Sequence, residues 1–195
     1  MRRNQLEKIT HRELCMAVAK RYNKKLALYE YKSTASSEEP DVLIFDFKGT
    51  YLFEIKMSLA DFNADKYKDC RKKYRMQYWA YHLPSKEAYE GKHYKTNLKL
   101  DKGHLELYLI ENEHLGNCRY FVCPDGVIPV EKVPEGWGLL YYKNGKFYEK
   151  KRSATFRSNL RTENNLVVHA LRRYASGDSK GILVNTYRDV AEANP

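Results

Sequence analysis

Apolar positions in this chain fall into short alternating runs broken by polar stretches, with two longer segments of helical period. The densest pattern is Asp41 to Lys56, DVLIFDFKGTYLFEIK. Two runs rich in β-branched and aromatic residues, Val42–Phe47 and Tyr51–Lys56, flank a Lys48-Gly49-Thr50 turn, which predicts a β-hairpin. Upstream, Leu6, Ile9, Leu14, Ala17, Val18 and Tyr22 make an apolar stripe that predicts a helix over 4–23. Residues 26–31 (LALYEY) alternate like a strand, and the polar segment 33–40 (STASSEEP) reads as a turn-prone connection.

Beyond the hairpin, Ser58 with Asp61 three residues later marks a helix start. The pattern of Leu59, Phe62, Cys70 and Tyr74 carries that helix to about residue 75. Residues 82–103 show no clear period and read as an insertion or long loop, bounded more widely as 82–117. Residues 104–110 and 118–123 are strand-like, and the second (CRYFVC) is continuous enough for a central strand. WGLL-YY and KFY around Asn144-Gly145 predict a second hairpin. An amphipathic helix follows over 156–175, then Gly177 and Gly181 leave a tail over 176–195. The sum is one α/β domain over 1–195, with no internal repeat.

The charged positions change this picture at one place. Alternation turns Glu54 and Lys56 to one side of the second hairpin strand and Ile55 to the other. Charged side chains in a buried strand are normally paired or bind a metal. With Asp41 opening the first strand, two acids and a lysine meet at one end of the hairpin. Asp41, Glu54 and the carbonyl of Ile55 suit Mg²⁺ or Mn²⁺, which take oxygen ligands. Lys56 would orient or deprotonate a water, or counter developing negative charge. The bland alternative is a surface hairpin with ordinary charges. Glu13, flanked by Ile9, Met16 and Ala17, is either a helper of that site or a boundary glutamate. Glu30 is either an inward acid or an exposed strand end.

Composition narrows the partner. There are 35 Lys+Arg against 25 Asp+Glu, a net charge of +10, which suits a polyanion such as DNA or RNA. Six basic residues fall between 66 and 75, interleaved with Tyr67, Tyr74, Tyr78 and Trp79. Ser58, Lys66, Lys68, Arg71, Lys72 and Lys73 are therefore candidate nucleic-acid contacts, against the alternative of a solvated helix face. No window reaches the length of a membrane span, and no secretory core opens the chain. Cys15, Cys70, Cys118 and Cys123 lack CxxC spacing and read as free thiols in a reducing cytoplasm, bacterial or phage-infected.

Pro40-Asp41 followed thirteen residues later by Glu54-Ile55-Lys56 resembles the PD-(D/E)XK nuclease superfamily. The run EIKMSLADFNADKYK is similar to its MmcB-like DNA-repair and phage-encoded members, with fainter likeness through YFVCP (120–124) and VPEGWGLL (133–140). That resemblance implies a restriction-endonuclease-like mixed β-sheet flanked by helices and a metal-dependent deoxyribonuclease, more an endonuclease than an exonuclease, in repair, recombination or phage DNA metabolism. It implies Asp41 and Glu54 as metal ligands, Lys56 as the catalytic lysine and Glu13 as a first-helix acid. The alternative is an inactive nucleic-acid-binding or counter-defence protein on the same fold. A homodimer is left open, as is the choice between DNA and RNA.

Overall fold

The computed structural model describes residues 9–22, 25–33, 36, 38–71, 74–78, 94–96, 107–111 and 114–184. The chain forms two compact units, Met1–Asn63 with His114–Pro195, and Ala64–Glu113. The expected single domain is thus a larger unit interrupted by a smaller one.

The larger unit is α/β, a mixed sheet flanked by helices, as expected. Helix α1 runs His11–Arg21. The strands are β1 (Leu26–Tyr29), β2 (Val42–Asp46) and β3 (Gly49–Ile55). Helix α2 (Leu59–Asp65) leads out of this unit, and β4 (Tyr74–Tyr78), β5 (Tyr94–Thr96) and β6 (Leu107–Glu111) lie in the smaller one. Then come β7 (Cys118–Pro124), β8 (Gly138–Lys143), β9 (Lys146–Lys151), helix α3 (Leu160–Ala175) and β10 (Ile182–Val184).

Seven strands form one sheet in the order β10-β1-β2-β3-β7-β8-β9. β3, β7 and β8 run parallel and the other pairs are antiparallel. β7 is central, as its unbroken apolar run requires. The hairpin closes through Phe47-Lys48, with Asp46 opposite Gly49. The turn therefore sits one residue earlier than expected, and Gly49 and Thr50 join the ladder. Gly49 has φ +134°, and a Cβ there would come within 2.9 Å of Asn117 Oδ1, so the glycine is required by both conformation and space.

Alternation along β2 and β3 divides the core between two faces. Val42, Ile44, Phe53 and Ile55 meet Leu14, Cys15, Val18 and Ala19 of α1. Leu43, Leu52, Phe121 and Cys123 meet Phe62 of α2 and Leu166 and Ala170 of α3. Phe121 is stacked on Trp137 with centroids 4.5 Å apart and meets Phe62 edge-on at 5.0 Å. Each such side chain contributes about 1.5–3 kcal/mol by leaving water. Thr10 and Glu13 close a capping box at the start of α1.

Four expectations are corrected. The helix expected over 59–75 stops at Asp65, a single 3₁₀ turn follows at Asp69–Arg71, and Tyr74–Tyr78 is a strand. That strand pairs antiparallel with Leu107–Glu111, so ladder formation with a distant segment overrides local helical period. The aperiodic stretch contributes β5, which also pairs with β6; most of its other residues lie outside those described. The supposed tail carries β10, which extends the sheet beyond β1. The helix expected from 156 begins at Leu160, where Asn159 caps it through Thr162 N–H.

Candidate active site at one end of the central strands

β3 and β7 run parallel and end on the same edge of the sheet, where side-chain chemistry in open α/β sheets commonly gathers. Glu54 stands beside Phe121 in the ladder, and the Lys56 N–H donates to the Val122 carbonyl at 2.8 Å. Both residues share the parity of Leu52, so both face the α3 side. Glu54 is 1% exposed and Lys56 2%. The Lys56 ammonium donates to Glu54 Oε2 at 3.1 Å. Taking two such charges from water is costly, and their attraction and hydrogen bonding offset that cost only while both are present. The bland reading of a solvated hairpin is excluded for these two residues.

Asp41 precedes β2, one residue before the Val42–Phe53 pair that ends the ladder. Its Oδ2 accepts the Ile55 N–H at 2.7 Å. In an extended strand the N–H and C=O of one residue point to the same side, so the Ile55 carbonyl is also turned toward the β2 flank. The three residues singled out by sequence therefore lie at one strand end, with Glu54 and Lys56 turned to the α3 side and Asp41 to the α1 side. They are linked through the Ile55 peptide rather than by direct contact between the two acids.

The other oxygen of Asp41 leads away from Glu54. Oδ1 lies 3.4 Å from His11 Nε2, and His11 Nδ1 lies 3.5 Å from Glu30 Oε1. Arg12 Nε approaches the second Glu30 oxygen at 3.7 Å. The Cys15 thiol, one helical turn beyond His11, sits 3.6 Å from Nδ1. The hydrogen bond to Asp41, with a smaller contribution from Cys15, pushes the His11 pKa up to about 10 despite opposing burial. Burial pushes the Cys15 thiol up. Glu30 adopts φ +45°, an uncommon conformation for a residue with a Cβ.

One site assignment changes and one open alternative is settled. Glu13 is the N3 residue of the α1 capping box; its Oε2 accepts from the backbone and hydroxyl of Thr10, each at 2.7 Å. Those bonds hold its carboxyl below the usual range and keep it exposed, so it takes the boundary role. Glu30 is likewise the exposed acid, although His11 and Arg12 engage it.

The basic run is not a helical stripe. Lys68 and Arg71 both pair with Asp65, at 3.0 and 2.8 Å. Lys66 is exposed and lies over the Tyr67 ring at 4.9 Å. The Ser58 hydroxyl accepts from Asp61 N–H at 3.1 Å, so it caps α2. Lys72 and Lys73 lie outside the described residues. Among the described residues of this set, Lys66 is exposed beside the Tyr67 ring, whereas Ser58, Lys68 and Arg71 have structural partners.

Sequence reasoning missed His11, and read Cys15 only as a free thiol. Their i, i+4 spacing on α1 was the available signal. Nothing local linked them to Glu30 and Asp41, which arrive through the β1–β2 pairing. Glu38 was also passed over; it is buried, and its carboxylate accepts the Leu115 N–H at 2.9 Å.

No family model matches the chain, and no curated protein matches it. A solved structure of a protein of unknown function from Silicibacter pomeroyi is similar to it over 89% of this chain and 95% of that one, at 17% identity and a TM-score of 0.51. Likeness at that identity speaks to the fold alone.

Proposed function

We propose that the protein is a Mg²⁺- or Mn²⁺-dependent deoxyribonuclease, acting as an endonuclease, with Asp41, Glu54 and Lys56 as its working residues. The observation that carries this reading is the buried Glu54–Lys56 pair at the end of β3, with Asp41 seated on the adjoining Ile55 N–H. The donor types are those a hard cation takes, two carboxylates and the Ile55 carbonyl being all oxygen ligands, and the Asp41 carboxylate would have to turn from His11 toward the Glu54 side to complete the set. Asp41, Glu54 and Ile55 would hold the cation, and it would supply acidity to the attacking water and neutralise phosphate charge.

The remaining chemistry belongs to the chain. Water oxygen bonds to phosphorus as the P–O3′ bond breaks, and a water proton ends on the departing 3′-oxygen, leaving a 5′-phosphate and a 3′-hydroxyl. Lys56, fixed by Glu54 in a site closed to bulk water, counters the charge that builds on the phosphoryl oxygens. The Ile55 N–H anchors one oxygen of the Asp41 carboxylate. The net charge of +10 supports a polyanionic partner.

The test is cleavage of single-stranded, duplex and branched DNA, with an RNA arm, by the wild type and Lys56→Ala in Mg²⁺ or Mn²⁺. A loss of about a hundredfold or more is expected for Lys56→Ala. Equal activity in both would overturn the assignment. Calorimetric Mn²⁺ binding, weakened in Asp41→Asn, reads the site independently of turnover.

One observation favours a second reading, a nucleic-acid-binding protein without catalysis. The Lys56 ammonium is already committed to Glu54 at 3.1 Å. Steeply salt-dependent DNA binding, with neither cleavage nor Mn²⁺ binding, is the outcome that supports it.

A further inference from the structure

The group on the α1 side of Asp41 has a donor set of a different kind. His11 Nδ1, Cys15 Sγ and a Glu30 carboxylate oxygen all lie within 4.8 Å of one another. Bond lengths of about 2.0–2.3 Å in a tetrahedral zinc site place neighbouring ligand atoms roughly 3.3–3.8 Å apart. Here Nδ1 to Sγ is 3.6 Å and Nδ1 to Oε1 is 3.5 Å. The i, i+4 spacing presents the imidazole and thiol from one face of α1, and Glu30 faces them from the end of β1.

We propose that His11, Cys15 and Glu30 form a binding site for a borderline-soft divalent cation of the Zn²⁺ class. A thiolate, an imidazole and one carboxylate favour such an ion over Mg²⁺, which takes oxygen alone. On binding, Cys15 gives its thiol proton and His11 its Nδ1 proton to solvent, and His11 keeps the proton on Nε2. Thiolate and carboxylate then balance the two charges of the ion.

Two further features support the site. His11 Nε2 points at Asp41 Oδ1, 3.4 Å away, and a carboxylate behind a histidine ligand is the usual device that sets its tautomer and ring orientation. Asp41 is itself anchored by the Ile55 N–H, so the chain of support ends in the sheet. Glu30 reaches the site from a left-handed backbone, φ +45°. Its N–H is tied to the Asp41 carbonyl at 2.8 Å. Strain of that kind in a non-glycine residue, held by a neighbouring strand, commonly marks a functional position. Three protein donors leave a fourth position for water or an external ligand, unlike a closed four-ligand structural site. Asp41 is here a positioning residue, shared with the proposed nuclease site, although neither proposal needs the other.

Co²⁺ titration of the chelator-stripped full chain tests the proposal. The expected result is one thiolate-bound ion per chain, displaced by Zn²⁺, with a near-ultraviolet thiolate-to-cobalt charge-transfer band. A cation held by Asp41, Glu54 and the Ile55 carbonyl gives no such band, so the two sites are told apart. Cys15→Ser should abolish the band, and His11→Ala or Glu30→Gln should weaken binding about tenfold or more. Asp41→Asn should weaken it about tenfold with the band retained. Should Cys15→Ser not fold, the half-exposed His11 and exposed Glu30 carry the test. Absence of the band, or affinity unchanged in both His11→Ala and Glu30→Gln, overturns it.

Discussion

The two sides of the end of β3 treat charge in opposite ways. On the α3 side, Glu54 and Lys56 are almost wholly buried and hold one another at 3.1 Å. On the α1 side, His11, Arg12, Glu30 and Asp41 are exposed or half-exposed, and their ion-pair separations are 3.4–3.7 Å. The first arrangement is rigid because both charges are buried and hydrogen-bonded to one another. The second is open to water, since every member is at least partly exposed. A rigid buried lysine suits transition-state stabilisation, and an open group of mixed donors suits capture of an ion.

The comparison breaks most readily at Lys56. Lys56→Ala should cost about 3–5 kcal/mol in urea unfolding, because Glu54 is left buried without its ammonium. Glu54→Leu combined with Lys56→Met should recover most of that loss while leaving no cleavage. A single-variant cost below about 1 kcal/mol would mean the pair is solvated after all.

Asp41→Ala removes a charged acceptor from the Ile55 N–H and should cost about 1.5–3 kcal/mol, an intermediate value that ties the two sides together. At the exposed side, Thr10→Ala should cost about 1 kcal/mol through loss of the α1 cap. Glu13→Gln should leave DNA cleavage unaltered, which separates capping from catalysis.

The smallest effect concerns pH on the buried side. Burial pushes the Cys123 thiol up to about 11, so between pH 9 and 11 the unfolded thiol ionises while the folded one remains protonated. The folded state then holds more protons, and stability falls as pH rises. At pH 10 this contribution is on the order of 1 kcal/mol. Cys123→Ala should therefore show a shallower loss between pH 8 and 10, read as a slope and not as a level. Equal slopes would mean that the thiol titrates normally.

Much of the scaffold was legible in sequence because its signals are short-range. Val42 to Ile55 alternates with period 2, so the faces of the hairpin and the parity of Glu54 and Lys56 follow from the residues themselves. Ser58 with Asp61 announced the start of α2, and the apolar run from Cys118 announced a central strand. The failures share a cause. Tyr74, read as the end of a helix, instead opens the strand Tyr74–Tyr78, because its partner at Leu107–Glu111 supplies ladder bonds that no local window contains. Ile182–Val184 looked like a tail because its reason for being extended is β1, more than 150 positions upstream.

The same division runs through the candidate sites. Sequence alone determined which residues carry chemistry near the hairpin end, and that Glu54 and Lys56 point the same way, since alternation is a property of the extended backbone. Only the tertiary structure decided that Lys56 is buried on Glu54, that Asp41 spends one oxygen on the Ile55 N–H, and that its other oxygen turns to His11. Those outcomes depend on register between separate strands and on the seating of α1, which are settled by packing of the whole sheet rather than by any one segment.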